Sequence, residues 1–316
     1  MIATRSLPPD VSARPLSMAD VDAVTALMAV CELDVLGEVL IERADIIGDW
    51  QRPSFDLAAD TVGVFCASDL VAYAEVHAGR RAEVFVHPRQ RARGIGTALM
   101  EWSWEVARRD GGRLVGQTVS EMQTDAIELF VRNGYRQLWT SWILTLPQDT
   151  DIAPQPLPDG VTIRPFVPGR DEQVAYRTIE DAFNEWPDRD PSTYGDWAAA
   201  TLLRPGFEPW HLQLAVRGGL EGTGDDVLAA CLLSVSPTDG WVNQIAVRRD
   251  CRGHGLGRAL LARAFGETRA RGMRGAGLNT DSRTGALGLY THIGMVVTST
   301  FVHWAKTLDR AAAESD

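Results

Sequence analysis

The sequence predicts an α/β (α+β layered) fold built twice in tandem, and three observations carry that prediction. The first is length, since 316 residues exceed one ordinary core at about 100 to 200 residues per domain. The second is an internal repeat: "VFVHPRQRARGIGTALMEW" from Val84 is answered by "IAVRRDCRGHGLGRALLAR" from Ile245. Each copy reads as a strand, a short turn carrying R-x-x-G-x-G, and a helix. The third is the alternation of strand-like and helix-like segments around these turns, the pattern of sheets layered with helices.

The repeat continues in order along the chain. Upstream, "SARPLSMADVDAVTALM" is mirrored by "TIRPFVPGRDEQVAYRTI". Arg91 and Arg252 lie 161 positions apart, and further on "DAIELFVRNGY" answers "GALGLYTHIGM", with Gly134 and Gly294 separated by 160. Between the copies, "LPQDTDIAPQPLPDG" (Leu146–Gly160) has prolines and no apolar period, as a linker does. The expected organisation is an N-terminal domain over 1–150, a linker over 151–160 and a C-terminal domain over 161–316.

Each half repeats one coarse order: a short strand, one or two helices, a set of strands, a glycine-headed helix, a strand, a second helix and a last strand. In the second half "VLAACLLSVSP" and "GWVNQIAVRR" read as apolar strands, and "LGRALLARAFGETRARG" as an amphipathic helix. "GAGLNT" follows as a strand, "TGALGLYTHIG" as a helix and "TSTFVHWAKTL" as the closing strand.

Apolar residues at 45% and charged ones at 23% are the proportions of a globular protein. No apolar run reaches the roughly 18 residues of a membrane span, and "MIATRSLPPDVSARPL" lacks the apolar core of a secretory signal. A cytoplasmic protein is expected. Cys31, Cys66, Cys231 and Cys251 are scattered without a C-x-x-C pair, and the histidines show no two ligands on one helix face. Neither a disulfide framework nor a metal site is expected. A net charge of -11 opposes a nucleic-acid partner and favours a cationic small molecule. Neither H-E-x-x-H nor G-x-S-x-G occurs. No nucleic-acid and no membrane partner is expected, for a monomer or homodimer.

The turn "RDCRGHGLGRALL" (Arg249–Leu261) sets bare backbone at a helix start, where unpaired N–H groups and a partial positive charge attract anions. A glycine-rich surface turn is the plain alternative. A P-loop needs Lys then Ser or Thr, but Gly257 is followed by Arg258 and Ala259. A dinucleotide turn needs G-x-G-x-x-G, whereas Gly253, Gly255 and Gly257 alternate at spacing two, and the first copy keeps only Gly94 and Gly96. A third ligand class to weigh is acyl-CoA, which carries a diphosphate.

V-x-P-x-x-R-x-x-G-x-G stands intact as Val86, Pro88, Arg91, Gly94 and Gly96, and recurs as Val247, Arg252, Gly255 and Gly257. With the later helix that supplies Leu289, Tyr290 and Gly294, it closely resembles the GNAT family of N-acetyltransferases over both halves. The resemblance implies two tandem GNAT acyl-CoA N-acyltransferase domains, each a mixed central sheet flanked by helices, with acetyl-CoA as cosubstrate and no metal. It places the coenzyme on Ile245, Ala246, Val247, Arg252, Gly253, His254, Gly255, Leu256, Gly257 and Arg258. A degenerate counterpart would use Val84, Phe85, Val86, Arg91, Ala92, Arg93, Gly94, Ile95, Gly96 and Thr97. Backbone amides would wrap the diphosphate, and the strand before the turn would pair with the pantetheine arm.

By the same resemblance Tyr290 is the acid that protonates the departing thiolate, and the first copy has Phe130 there. A core tyrosine without a catalytic part is the competing reading. The strand "GWVNQIAV" holds no acid, so proton removal falls to water through Asn243 or Gln244, to a carboxylate from elsewhere, or to an amine arriving neutral. The loop "DAFNEWPDRDP" supplies Glu185, Asp188 and Asp190 beside Trp186.

Tandem chains of this size resemble the mycothiol synthase family, in which the C-terminal half does the transfer. Ala182, Phe183, Pro187 and Asp188 match its substrate-site pattern, and Gly37 with Glu38 match a pair in its N-terminal half. Its substrate-contacting lysine and strand glutamate fall here on Ser234 and Trp241. The expected substrate contacts are therefore Asp188, Glu38, Trp241 and Asn243. The function implied is acetyl transfer from acetyl-CoA to a small-molecule primary amine by direct attack on the thioester. Alternatives are the mycothiol precursor's cysteinyl amine as acceptor, or a non-catalytic CoA-binding sensor or scaffold.

Overall fold

The structure, a computed structural model, describes residues 7–153, 156–186, 189, 191–218 and 225–308. Its elements run β1 (Val11–Arg14), α1 (Val21–Leu36), α2 (Arg43–Trp50), α3 (Leu57–Asp60), β2 (Thr61–Cys66), β3 (Asp69–His77), β4 (Arg81–Val86), α4 (Ile95–Arg109), β5 (Leu114–Ser120), α5 (Thr124–Arg132) and β6 (Arg136–Thr145). The second half gives β7 (Val161–Pro165), α6 (Glu172–Phe183), α7 (Tyr194–Ala200), β8 (Leu212–Arg217), β9 (Asp226–Val235), β10 (Asp239–Val247), α8 (Leu256–Ala270), β11 (Gly275–Asp281), α9 (Leu287–His292) and β12 (Val296–Thr307).

The compact units do not follow the repeat. One unit joins the described residues up to Thr140 with those from Phe301 onward, and the other spans Ser141–Thr300. Each sheet is finished by a strand from the opposite half of the sequence. In unit 1, β5 pairs antiparallel with β12 from Phe301↔Ser120 to Thr307↔Leu114. In unit 2, β11 pairs antiparallel with β6 from Gly277↔Thr145 to Asp281↔Ser141. Where the repeat places the division near residue 155, the chain parts at Thr140/Ser141 and again at Thr300/Phe301. A half-buried strand satisfies its backbone equally in either sheet, so the repeat alone does not decide its partner.

Unit 1 thus orders its strands β1-β2-β3-β4-β5-β12, and unit 2 orders them β7-β8-β9-β10-β11-β6. The one parallel contact in each is β4 with β5 and β10 with β11. Helices cover both faces. In unit 2, α8 and α9 bring Leu256, Leu260, Phe265 and Tyr290 onto Cys231, Leu233 and Leu278. On the opposite face, α6 and α7 bring Ala175, Ile179 and Trp197 onto Leu212, Leu214 and Leu232. In unit 1, α4 packs Ile95, Leu99 and Val106 on one face, while α1 and α2 pack Leu27, Met28 and Trp50 against Tyr73 on the other.

Both units begin with the same clamp. The Arg14 fork donates to Asp20 at 2.6 and 3.0 Å, and the Arg164 fork donates to Asp171 at 2.6 and 3.0 Å. Each ties the first strand to the start of the first long helix, which explains the mirrored "ARP" and "IRP". The linker, irregular through its described residues, is pinned by buried Leu146 and Ile152. The helix expected over "TGALGLYTHIG" is shorter, because Gly285 sits at φ +66° and Thr284 Oγ1 accepts from Ala286 N at 3.1 Å, so α9 begins at Leu287. No helix among the described residues is long and apolar enough to cross a membrane.

Candidate active site

The repeated turn opens α8 in the manner its glycines require. Val247 ends β10, Arg252 is extended, and Gly253 and Gly255 take φ +80° and +76°. Only glycine enters that region at no steric cost. No side chain caps α8, and the first amide accepted in the turn is Ala259 N, by Gly255 O at 3.0 Å. The amides of Leu256, Gly257 and Arg258 have no acceptor among the described residues. A Cβ on Gly253 would meet nothing within 4 Å, so its backbone lies bare. Arg258 Nε is buried without a partner, a donor left for a ligand. Unpaired amides, a helix N-terminus and an orphaned guanidinium nitrogen fit a diphosphate.

The strand before the turn is opened by a bulge. β10 and β11 pair only from Asp239↔Gly275 to Val242↔Leu278, then part. Along β9 the register slips at the same place, Val242↔Leu233 being followed by Gln244↔Leu232, so Asn243 is the extra residue. A bulge bends its strand and ends pairing on one side. Ile245, Ala246 and Val247 stay paired with Cys231, Ala230 and Ala229 on β9 and leave their other edge unpaired by β11. An extended ligand arm can add to such an edge as a strand.

Tyr290 stands on α9 within the cluster that packs Cys231, Ile245 and Val247. Burial pushes its phenol up to about 12, and Cys231 adds to the shift. The hydroxyl has no hydrogen-bond partner among the described residues, and at neutral pH it keeps its proton. Unit 1 sets Phe130 at this place, stacked on Tyr135 at 4.9 Å. Its turn is also altered, with Ala92 at φ +59° where unit 2 has Gly253. β4 meets β5 only at Arg81↔Gly116 and pairs with β3 without a bulge.

The remaining expected residues fall in several places. Arg252 does not stand free for phosphate, because its fork donates to Glu185 at 2.8 and 2.9 Å and its Nε to Val247 O at 3.0 Å. The Arg252 guanidinium in turn holds the Glu185 carboxyl below its ordinary range. Unit 1 repeats the arrangement, Arg91 donating to Asp34 at 2.7 Å. His254 is exposed. Trp241 is half-buried beside Gly277, while Asn243 is exposed and donates to Ser234 Oγ at 3.1 Å. Gln244 Oε1 accepts from Trp197 Nε1 at 3.0 Å. Glu38 is exposed in unit 1, just past the Gly37 cap of α1. Asp188, Pro187 and Asp190 lie outside the described residues. Sequence reasoning missed Arg252–Glu185 and Gln244–Trp197; the first had one available signal, an acid near the end of the first helix in both halves. No group of His, Cys, Asp or Glu among the described residues is arranged to hold a metal.

Known proteins share this architecture. Residues 58–137 match the family described as acetyltransferase (GNAT) domain, and residues 173–295 the acetyltransferase (GNAT) family. A mycothiol acetyltransferase of Sanguibacter keddieii is 30% identical over 322 residues, covering 96% of this chain and 98% of the relative. The chain belongs to the GNAT acetyltransferase family. A crystal structure of a GCN5-related N-acetyltransferase from Sphaerobacter thermophilus superimposes with a TM-score of 0.73 at 31% identity, covering 95% of this chain and 96% of that one. A tandem GNAT protein from the clavulanic acid biosynthesis pathway shares the fold at a TM-score of 0.72 and 18% identity, over 97% and 100% of the two chains. As a tandem GNAT acetyltransferase the chain is an acyltransferase drawing on an acyl-CoA.

Proposed function

We propose that unit 2 transfers the acetyl group of acetyl-CoA to the primary amine of a small molecule by direct attack on the thioester. The observation that carries this reading is the uncapped start of α8 with Arg258 Nε buried and unpaired, beside an opened strand edge. Amides from Gly253 to Arg258 hold the diphosphate, with Arg258 adding a charge-assisted bond. The edge of Ile245, Ala246 and Val247 pairs with the pantetheine arm. Acetyl-CoA supplies the activated acyl group, and Tyr290 gives a proton to the departing thiolate. Trp241 and Asn243 meet the acceptor, joined by Asp188 on the strength of the family resemblance. Gln244 is engaged with Trp197 through its oxygen, which favours Asn243 as the amide that holds a proton-removing water.

Unit 1 carries Phe130, which has no proton to give, so it does no chemistry in this reading. Its strand Val84–Val86 and its turn from Arg91 to Thr97 are proposed as a second coenzyme site. A narrower reading, favoured by the 30% identity with relatives named mycothiol acetyltransferase, makes the cysteinyl amine of the mycothiol precursor the acceptor. The test is calorimetry with acetyl-CoA followed by thiol release across an amine panel. Binding with turnover of an amine supports the proposal, and two molecules bound per chain support the second site. Absence of coenzyme binding overturns the whole reading, and tight binding with no turnover on any amine leaves only a sensor or scaffold.

A further inference from the structure

We infer that Trp241 selects the acceptor, and that unit 2 takes a primary amine bearing a flat aromatic group in preference to a polyhydroxylated amine. This rests on the acceptor side proposed above. Trp241 lies two residues before the Asn243 bulge, opposite Ser234 on β9 and Gly277 on β11, one rung before the β10–β11 pairing ends. Its ring crosses Gly277: a Cβ there would fall 2.7 Å from Cζ3 and 2.9 Å from Cε3 of the indole. Glycine at that position is what lets the ring lie over β11. The indole remains half-buried, so part of its surface is open to contact, and its rung adjoins the end of the β10–β11 pairing.

Several polar groups of unit 2 already have partners. Asn243 Nδ2 donates to Ser234, and Trp197 donates to Gln244 Oε1. Glu180 is held by Arg189 at 2.6 and 2.9 Å, and Asp281 by Arg283 at 2.5 Å. A polyol gains affinity by many hydrogen bonds, and those directed at Asn243 Nδ2, Gln244 Oε1, Glu180 or Asp281 would compete with pairs already formed. An arylalkylamine needs indole surface and one seat for its nitrogen, and paired aromatic rings gain beyond the area they bury. The corresponding face of unit 1 is built otherwise. There Glu75 and Glu83 stand opposite each other on β3 and β4, and unit 2 has the neutral Gln244 at the repeat position of Glu83.

The test compares phenethylamine with glucosamine as acceptors for the full chain and for Trp241→Ala and Trp241→Phe. The full chain is expected to favour phenethylamine. Trp241→Ala should lose about tenfold or more in kcat/KM on phenethylamine, chiefly through KM, with a clearly smaller loss on glucosamine. Trp241→Phe should recover most of the loss, and acetyl-CoA affinity should stay the same in all three. Preference for glucosamine, or equal losses on both amines, overturns the inference while leaving acetyl transfer intact. If no amine is turned over, the proposed function fails, and calorimetry of phenethylamine on the CoA-loaded protein still decides this point: binding weakened by Trp241→Ala supports it, and absent or unaltered binding overturns it.

Discussion

Replacing Tyr290 by Phe removes one oxygen and separates catalysis from packing. The hydroxyl makes no hydrogen bond among the described residues, so deleting it strands no partner and stability should be nearly unchanged, within about 0.5 kcal/mol. Phenylalanine is also what unit 1 carries at the equivalent site, 3% exposed as Phe130. Burial holds the phenol at about 12, above the ordinary phenol range, which disfavours its ionisation. Tyr290 therefore keeps its proton through neutral pH, as the proposed acid must. General-acid assistance contributes about 10²- to 10⁴-fold, or ~2.7 to 5.4 kcal/mol of barrier. Steady-state thiol release should therefore show kcat falling by that factor, with KM for acetyl-CoA within about twofold because binding resides on the α8 turn. A variant with kcat within about threefold of the parent, melting normally, would falsify the assignment of Tyr290 as the acid.

Arg258→Gln should weaken acetyl-CoA about ten- to a hundredfold by calorimetry, the worth of a hydrogen bond to a charged group; unchanged affinity would show that the guanidinium does not meet phosphate. Ala92→Gly relieves a left-handed residue bearing a Cβ and should stabilise unit 1 by roughly 0.5 to 1 kcal/mol after glycine's entropic cost. Turnover should not move, and a drop in kcat would place unit 1 in the chemistry. The paired Arg14 fork holds the Asp20 carboxyl down to about 2. Burial opposes the same effect at Asp171, where the Arg164 fork and Val167 N–H prevail and its carboxyl is also lowered. A depressed carboxylate stabilises the fold above its unfolded pKa of about 3.9, and the gain is lost as pH falls through about 2 at Asp20. Urea titration of the parent and Asp20→Asn should differ at pH 6 and converge toward pH 2; a difference that persists in acid would point to packing instead.

The glycine turn was legible because its constraint is local: φ +76° and +80° at Gly255 and Gly253 favour glycine wherever the chain goes. The match of Phe130 to Tyr290 was legible through the repeat alone. Partners distant in sequence were not. Arg252 and Glu185 stand 67 residues apart, and the single signal joining them was an acid near the end of the first helix in both halves, Asp34 and Glu185. The Asn243 bulge leaves only a break in the alternation of "WVNQ", since a bulge costs one residue and has no composition of its own. The β6 and β12 exchange was invisible for a similar reason: an alternating strand fits any sheet that offers the right face.

That exchange means that neither sequence repeat is a self-sufficient folding piece. A fragment cut within residues 146–160 would leave Leu114–Ser120 or Gly275–Asp281 with a bare flank, sticky toward any other chain. Co-expressed fragments should reassociate where each alone precipitates. Each repeat therefore serves as scaffolding for the other: removing one would take away the ribbon that completes its twin.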